Sequence, residues 1–174
     1  MPKLIRNRCI VEDARPVVFL EGGETAATIA LPEGGAIVPL AVWQAHRDEL
    51  LARGGFGVWL AGDEQPAELA DDLTQLKTIA IHFPKFADGR GYSLAALLRS
   101  RLGYRGELRA FGEVLRDQFD YLVRCGFDAL QPAEGRYTDT QLEAALASIT
   151  DFSEPYQASA AVAEPLFRRV RRAA

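Results

Sequence analysis

The segment Phe83-Pro84-Lys85-Phe86-Ala87-Asp88-Gly89-Arg90-Gly91-Tyr92-Ser93 gathers the groups best suited to hold an anion. Gly89 and Gly91 flank Arg90 just ahead of an apolar helical pattern that begins near Tyr92. Glycine lets a backbone approach a ligand closely, and a helix N-terminus offers unpaired N–H groups with partial positive charge. Lys85, Arg90 and the Ser93 hydroxyl add donors, so sulfite, sulfate, phosphate or a carboxylate would fit. Asp88 is the only acid in the segment, suited to act as a general base or to pair with Arg90. His82 adjoins the segment at a strand end, where it serves either as an acid–base group or as a partly buried structural histidine. The spacing matches neither a Walker loop nor the dinucleotide-binding glycine pattern.

Two further stretches belong to the same candidate set. Arg116-Asp117-Gln118 falls in the first turn or so of a later helix, with Arg116 directed to the strand ends and Asp117 complementing the helix dipole. Arg109 lies inside a strand, where a charge either faces solvent or requires a buried partner. The anion-binding set is therefore Lys85, Gly89, Arg90, Gly91, Ser93, Arg109, Arg116 and Asp117, with Asp88 and His82 as catalytic candidates. His46 sits among polar residues on a helix, and Cys9 and Cys125 form no CxxC pair, so no metal-ligand set is expected. Cys125, at a helix end whose carbonyl dipoles raise a thiol pKa, reads as a buried structural residue not bonded to Cys9.

These residues need a scaffold, and the chain supplies alternating strands and helices. Strands are expected at Phe56–Ala61, Thr78–Phe83, Glu107–Phe111 and Phe127–Leu130. Helices are expected at about Leu40–Arg53, Pro66–Leu73, Tyr92–Leu102 and Glu113–Arg124, followed by one to Thr150 behind the capping-box pair Thr138 and Gln141. This alternation implies βαβ crossovers, hence an α/β fold with a mainly parallel sheet of about four or five strands. That is too few for a closed eight-stranded barrel, leaving an open doubly wound sheet or a half-barrel-like arrangement. One domain is expected: an irregular β-rich extension over 1–38 with strand-like runs at Leu4–Val11 and Pro16–Leu20, a βα core over 39–150, and a tail over 151–174. That tail is expected to be partly helical after Pro165, with Arg168, Arg169, Arg171 and Arg172 near its end. In parallel sheets ligands bind at the carboxyl ends of strands, which singles out Gly62–Glu64, Pro84–Gly91, Gly112-Glu113 and Gln131–Arg136.

Composition narrows the function classes. In 174 residues, 48% are hydrophobic and 25% charged, which excludes a disordered chain. A net charge of −4 argues against a dedicated nucleic-acid binder. No apolar stretch approaches membrane-spanning length, and the basic N-terminus is not followed by a signal-peptide core, so a cytoplasmic protein is expected.

The block Ile79–Ser93, with FPKF and DGRGYS, continues through Leu97-Leu98-Arg99, then Gly106–Ala110 (GELRA), Gly112 and Val114–Gln118 (VLRDQ) to Leu122 and Arg124–Phe127. In this order the block resembles a bacterial family catalogued as domain of unknown function 934. The resemblance implies an accessory protein or oxidoreductase of assimilatory sulfate or sulfite reduction, with sulfite reductase or another sulfur-assimilation protein as partner. It implies no particular cofactor. The residues themselves supply no iron–sulfur or haem ligand set, dinucleotide fingerprint or vicinal cysteine pair. They also leave open an acid–base enzyme acting on a small anionic metabolite, or a non-catalytic interaction module.

Overall fold

The computed structural model describes residues 2–149 and, beyond them, 158–160, 162, 164, 165 and 168. Strand alternation sets its layers. In β5 (Thr78–Phe83), Ile79, Ile81 and Phe83 enter the main core, while Ala80 belongs to a small cluster on the opposite face. β4 (Gly57–Leu60), β6 (Glu107–Gly112) and β7 (Ala129–Pro132) run parallel to β5, as expected. Three further strands take the sheet beyond the expected four or five. These are β3 (Ile37–Pro39), parallel to β4, and the hairpin of β1 (Lys3–Arg6) and β2 (Cys9–Glu12). The sheet has seven strands in the order β2-β1-β7-β6-β5-β4-β3.

The N-terminal hairpin extends the sheet edge instead of packing on the domain. Asn7 and Arg8, both at positive φ (49° and 62°), make the tight turn that folds β2 back antiparallel on β1, and β1 in turn pairs antiparallel with β7. From β3 to β7 each strand lies beside its predecessor without the order reversal of a doubly wound sheet. The winding is that of the half-barrel-like alternative. Helices α1 (Leu40–Arg53), α2 (Arg90–Ser100) and α3 (Phe119–Cys125) share one core with the inward residues of β4, β5 and β6.

Local boundaries differ where side chains intervene. Helix α2 begins at Arg90, two residues before the apolar pattern, because the Asp88 carboxylate accepts the Arg90 backbone N–H at 3.2 Å. The expected helix from Glu113 starts only at a 3-10 turn, Arg116–Gln118, because Val114 is drawn into the core and the Gln118 amide oxygen takes the Leu115 N–H. Pro66–Asp72 is 3-10, and β7 starts two residues later than expected, after the left-handed Gly126 and buried Phe127. Helix α4 (Asp139–Ser148) has the expected Thr138–Gln141 capping box. Of the basic tail cluster, only Arg168 lies within the described residues.

The face away from the helices is covered by the chain between β2 and β3. Asp13 meets Arg109 of β6, Arg15 reaches Thr78 of β5, and Val17 bridges in parallel to Ile37 of β3. This strap crosses the central strands. Beneath it the Arg109 guanidinium is completely buried, bonding Asp13 (2.5 Å), Glu107 (2.6 and 3.0 Å) and the Gln131 carboxamide oxygen (2.9 Å). Arg6 and Arg15 complete the cluster through Asp13, both at ion-pair distance from Glu107 as well. Burial alone would raise the Asp13 carboxyl, yet hydrogen bonds from Arg15 and Arg109 hold it far below the usual range.

A depressed carboxylate contributes stability above its unfolded pKa and loses it as pH falls through the folded value. Urea midpoints should therefore be flat near neutrality and drop below about pH 4, the ordinary aspartate value. Arg109→Ala empties a fully buried site and leaves Asp13 and Glu107 to Arg6 and Arg15 alone, and should cost about 3–5 kcal/mol at pH 7. An Arg109→Ala midpoint equal to wild type would show that the cluster does not hold the strap.

Candidate functional site

The carboxyl ends of β4 to β7 share one edge of the sheet, and their loops are stitched together. Glu113 N–H donates to the Phe83 carbonyl (2.8 Å), Ala133 N–H to the Gly112 carbonyl (2.9 Å), and Arg136 pairs with Glu113. Gly112 is required at this junction. Its φ of 101° suits glycine, and a Cβ there would lie 2.5 Å from the Phe83 carbonyl oxygen and 3.1 Å from the His82 ring.

Gln118, in the candidate RDQ triplet but not among the anion-binding residues, does most of the stitching. Buried at 8% exposure, it accepts the Leu115 N–H and donates to the Phe86 carbonyl (3.2 Å) and the Tyr92 hydroxyl (2.9 Å). One side chain thus ties the loop after β5 to the loop after β6. The signal available in sequence was its place in the RDQ triplet, but glutamine carries no charge to attract notice.

Arg90, Gly91 and Ser93 lie within α2, and Gly89 is its N-cap. Gly91 is buried, and a Cβ on it would come within 2.6 Å of the Phe83 ring, so its role in the fold is close helix–strand packing. Gly89 has open space around it, and Ser93 is exposed. Asp88 pairs with Arg90 at 2.7 Å, and this hydrogen-bonded guanidinium holds its carboxyl at about 2. The anion at this helix N-terminus is therefore the protein's own carboxylate, ionised and weakly basic at neutral pH. The Arg90 side chain lies against Gly62 in the loop after β4. Lys85, Arg116 and Asp117 are exposed, and no hydrogen bond or ion pair to another described residue engages their side chains. Arg109, in contrast, is enclosed in the ion cluster under the strap.

His82 faces the strap side of the sheet. Its ring stacks on Phe111 at 4.8 Å and meets Phe19 and Trp59 edge-on at 5.5 and 5.7 Å. Burial lowers its pKa below the usual histidine value despite the opposing pull of Asp88, so the imidazole is neutral at pH 7. Neither ring nitrogen bonds a described residue. Beside it, between the strap and the ends of β5, β6 and β7, lies a cleft of about 430 Å³. On the helix side, Cys125 is half-buried and unbonded to Cys9, and burial pushes its thiol up. No cluster of metal-ligating side chains occurs among the described residues, and no helix there is long and apolar enough to cross a membrane.

Two outcomes test this geometry. The His82 ring protons should titrate with a midpoint below the ordinary value of about 6.5 in an NMR pH series. Gln118→Ala should cost about 1–3 kcal/mol and accelerate amide exchange at residues 84–88, because it strands buried donors and acceptors. Unchanged exchange there would mean that the loop is held by other contacts.

No curated protein and no solved structure matches the chain. Residues 57–167, which contain the four parallel strands β4 to β7 and every strand-end loop described above, match a family described as bacterial protein of unknown function. On that match, which spans more than half of its length, the chain belongs to the DUF934 family of bacterial proteins.

Proposed function

We propose that the protein is an accessory protein of assimilatory sulfite reduction that binds a small sulfur oxyanion between the loops after β5 and β6. The setting comes from the resemblance carried by the FPKF, DGRGYS, GELRA and RDQ blocks. One observation supports the anion site above others: the side chains of Lys85 and Arg116 have no partner among the described residues and stand on two loops that Gln118 ties together. Lys85 adjoins Phe86, whose carbonyl Gln118 holds, and Arg116 stands two residues before Gln118. Arg90 is already neutralised by Asp88, so it lends the site less charge. Phe86 and Tyr121, 51% and 55% exposed, leave an apolar rim on which a partner protein could rest. Binding suits the loop better than acid–base chemistry, because an aspartate held at about 2 is a poor proton acceptor at pH 7.

The test is thermal stabilisation by sulfite, sulfate, phosphate and adenylylated sulfate, in wild type and in Lys85→Ala/Arg116→Ala. Charge-assisted bonds contribute about 1.5–3 kcal/mol each, so the double variant should lose at least about tenfold in anion affinity. Its ligand-free melting temperature should stay within a degree or so of wild type, because neither side chain has a partner among the described residues. Stabilisation that survives both substitutions would place the anion elsewhere.

A further inference from the structure

We propose that the cleft between the strap and the ends of β5 to β7 is a second binding site, for a small ring-bearing monoanion. It lies on the sheet face opposite the helices, apart from Lys85 and Arg116, and does not depend on the oxyanion reading. Its volume of about 430 Å³ falls within the range of small-molecule pockets.

The lining defines the ligand. Val17, Phe19, Phe111 and Pro132 supply an apolar wall, and Phe19 remains 42% exposed although its ring already touches His82 and Phe111. A planar ring laid on Phe19 would cover this surface. Polar groups converge from the other side. Arg109 can only donate, so the Gln131 carboxamide must present its oxygen to Arg109, leaving both amide hydrogens unpaired on a residue that lines the cleft. His82 adds a neutral imidazole with two unbonded nitrogens, one a donor and one an acceptor.

Charge fixes the sign of the ligand. Among the described residues Arg6, Arg15 and Arg109 pair with Asp13 and Glu107, so the cluster beneath the strap counts one positive charge more than negative. Arg15 exposes that excess to the cleft, since it lines the cavity with its side chain 23% accessible. Glu134 on the rim opposes a second negative charge on the ligand. An aromatic carboxylate meets all these demands: its ring on Phe19, its carboxylate toward Arg15 and the Gln131 amide.

Calorimetric titration of the full chain with benzoate, 2-naphthoate, benzamide and acetate tests the assignment. At least one aromatic carboxylate should bind saturably, and benzamide and acetate should be weaker by about tenfold or more, lacking the charge and the ring respectively. Phe19→Ala, which also gives up ring contacts to Trp59, His82 and Phe111, should lower the melting temperature by a few degrees yet stay folded, and should weaken the aromatic carboxylate by about fivefold or more. Gln131→Glu, which keeps an oxygen for Arg109 and replaces the amide donor with a charge, should abolish binding. The proposal is overturned if neither carboxylate binds at about 10 mM, or if Phe19→Ala binds as wild type does. It is equally overturned if Lys85→Ala/Arg116→Ala removes aromatic carboxylate binding, because the ligand then occupies the loop site. Loss of sulfite stabilisation in that variant with aromatic binding intact would separate the two sites.

Discussion

A guanidinium buried completely in the central strand of a sheet is a demand on the rest of the chain, and Arg109 makes that demand here. Moving a charge out of water costs several kcal/mol unless it is paired and its hydrogens are satisfied. Glu107, two residues earlier on β6, projects from the same face and meets part of the need. Gln131 on β7 takes a second direction, and the third is met by Asp13 from outside the sheet. Because Asp13 must arrive there, the strap must cross β6 and β5, and Arg15, Val17 and Phe19 follow in fixed places. An apolar side chain at position 109 could bury as much surface, but would not specify which segment covers it.

The sequential winding explains why such a cover is needed. Right-handed crossovers between neighbouring strands in constant order place every helix on one side of the sheet. A doubly wound sheet would cover both faces with helices, whereas this one leaves Ala80, Phe111 and Ile37 to be buried by an extended segment. The strap meets β6, β5 and β3 toward their amino ends, at Arg109, Thr78 and Ile37, and leaves a cleft between itself and the carboxyl ends of β5 to β7.

How much of this was legible follows from which interactions are local. The βα alternation, the four central strands and the Thr138 cap depend on residues within a few positions of one another, and patterns of that range appear in sequence. The Asp88–Arg90 pair was legible for the same reason. β3 was not, since three residues carry no measurable period, and the hairpin's attachment to β7 depends on a contact spanning most of the chain. Asp13 and Arg109 are 96 positions apart, and nothing near either names the other. The anion-site reading assumed a helix starting near Tyr92 with a vacant N-terminus. The actual start at Arg90 follows from a carboxylate–backbone bond that apolar periodicity does not encode. Gln118 was legible as part of the RDQ triplet but not as the tie between the two loops, because that role lies in three hydrogen bonds, not in charge.

The two acid–base candidates also bear on how the sites respond to pH. Asp88 is held near 2 by Arg90, and His82 is pushed below its ordinary value by burial. At pH 7 and above Asp88 is ionised and His82, its pKa lowered by burial, is held toward its neutral form, so neither is expected to change charge on the alkaline side of neutrality. Arg15, whose pKa the hydrogen-bonded Asp13 carboxylate raises further, keeps its charge over the same range. With Asp88 and His82 fixed in charge, pH dependence of anion binding between about pH 7 and 9 is expected to come from the ligand. Sulfite, with its second ionisation near neutrality, should bind with a changing affinity across that interval, while sulfate should not. A sulfate affinity that shifts there would reveal a protein group titrating in the site, and neither Asp88 nor His82 has the pKa to be that group.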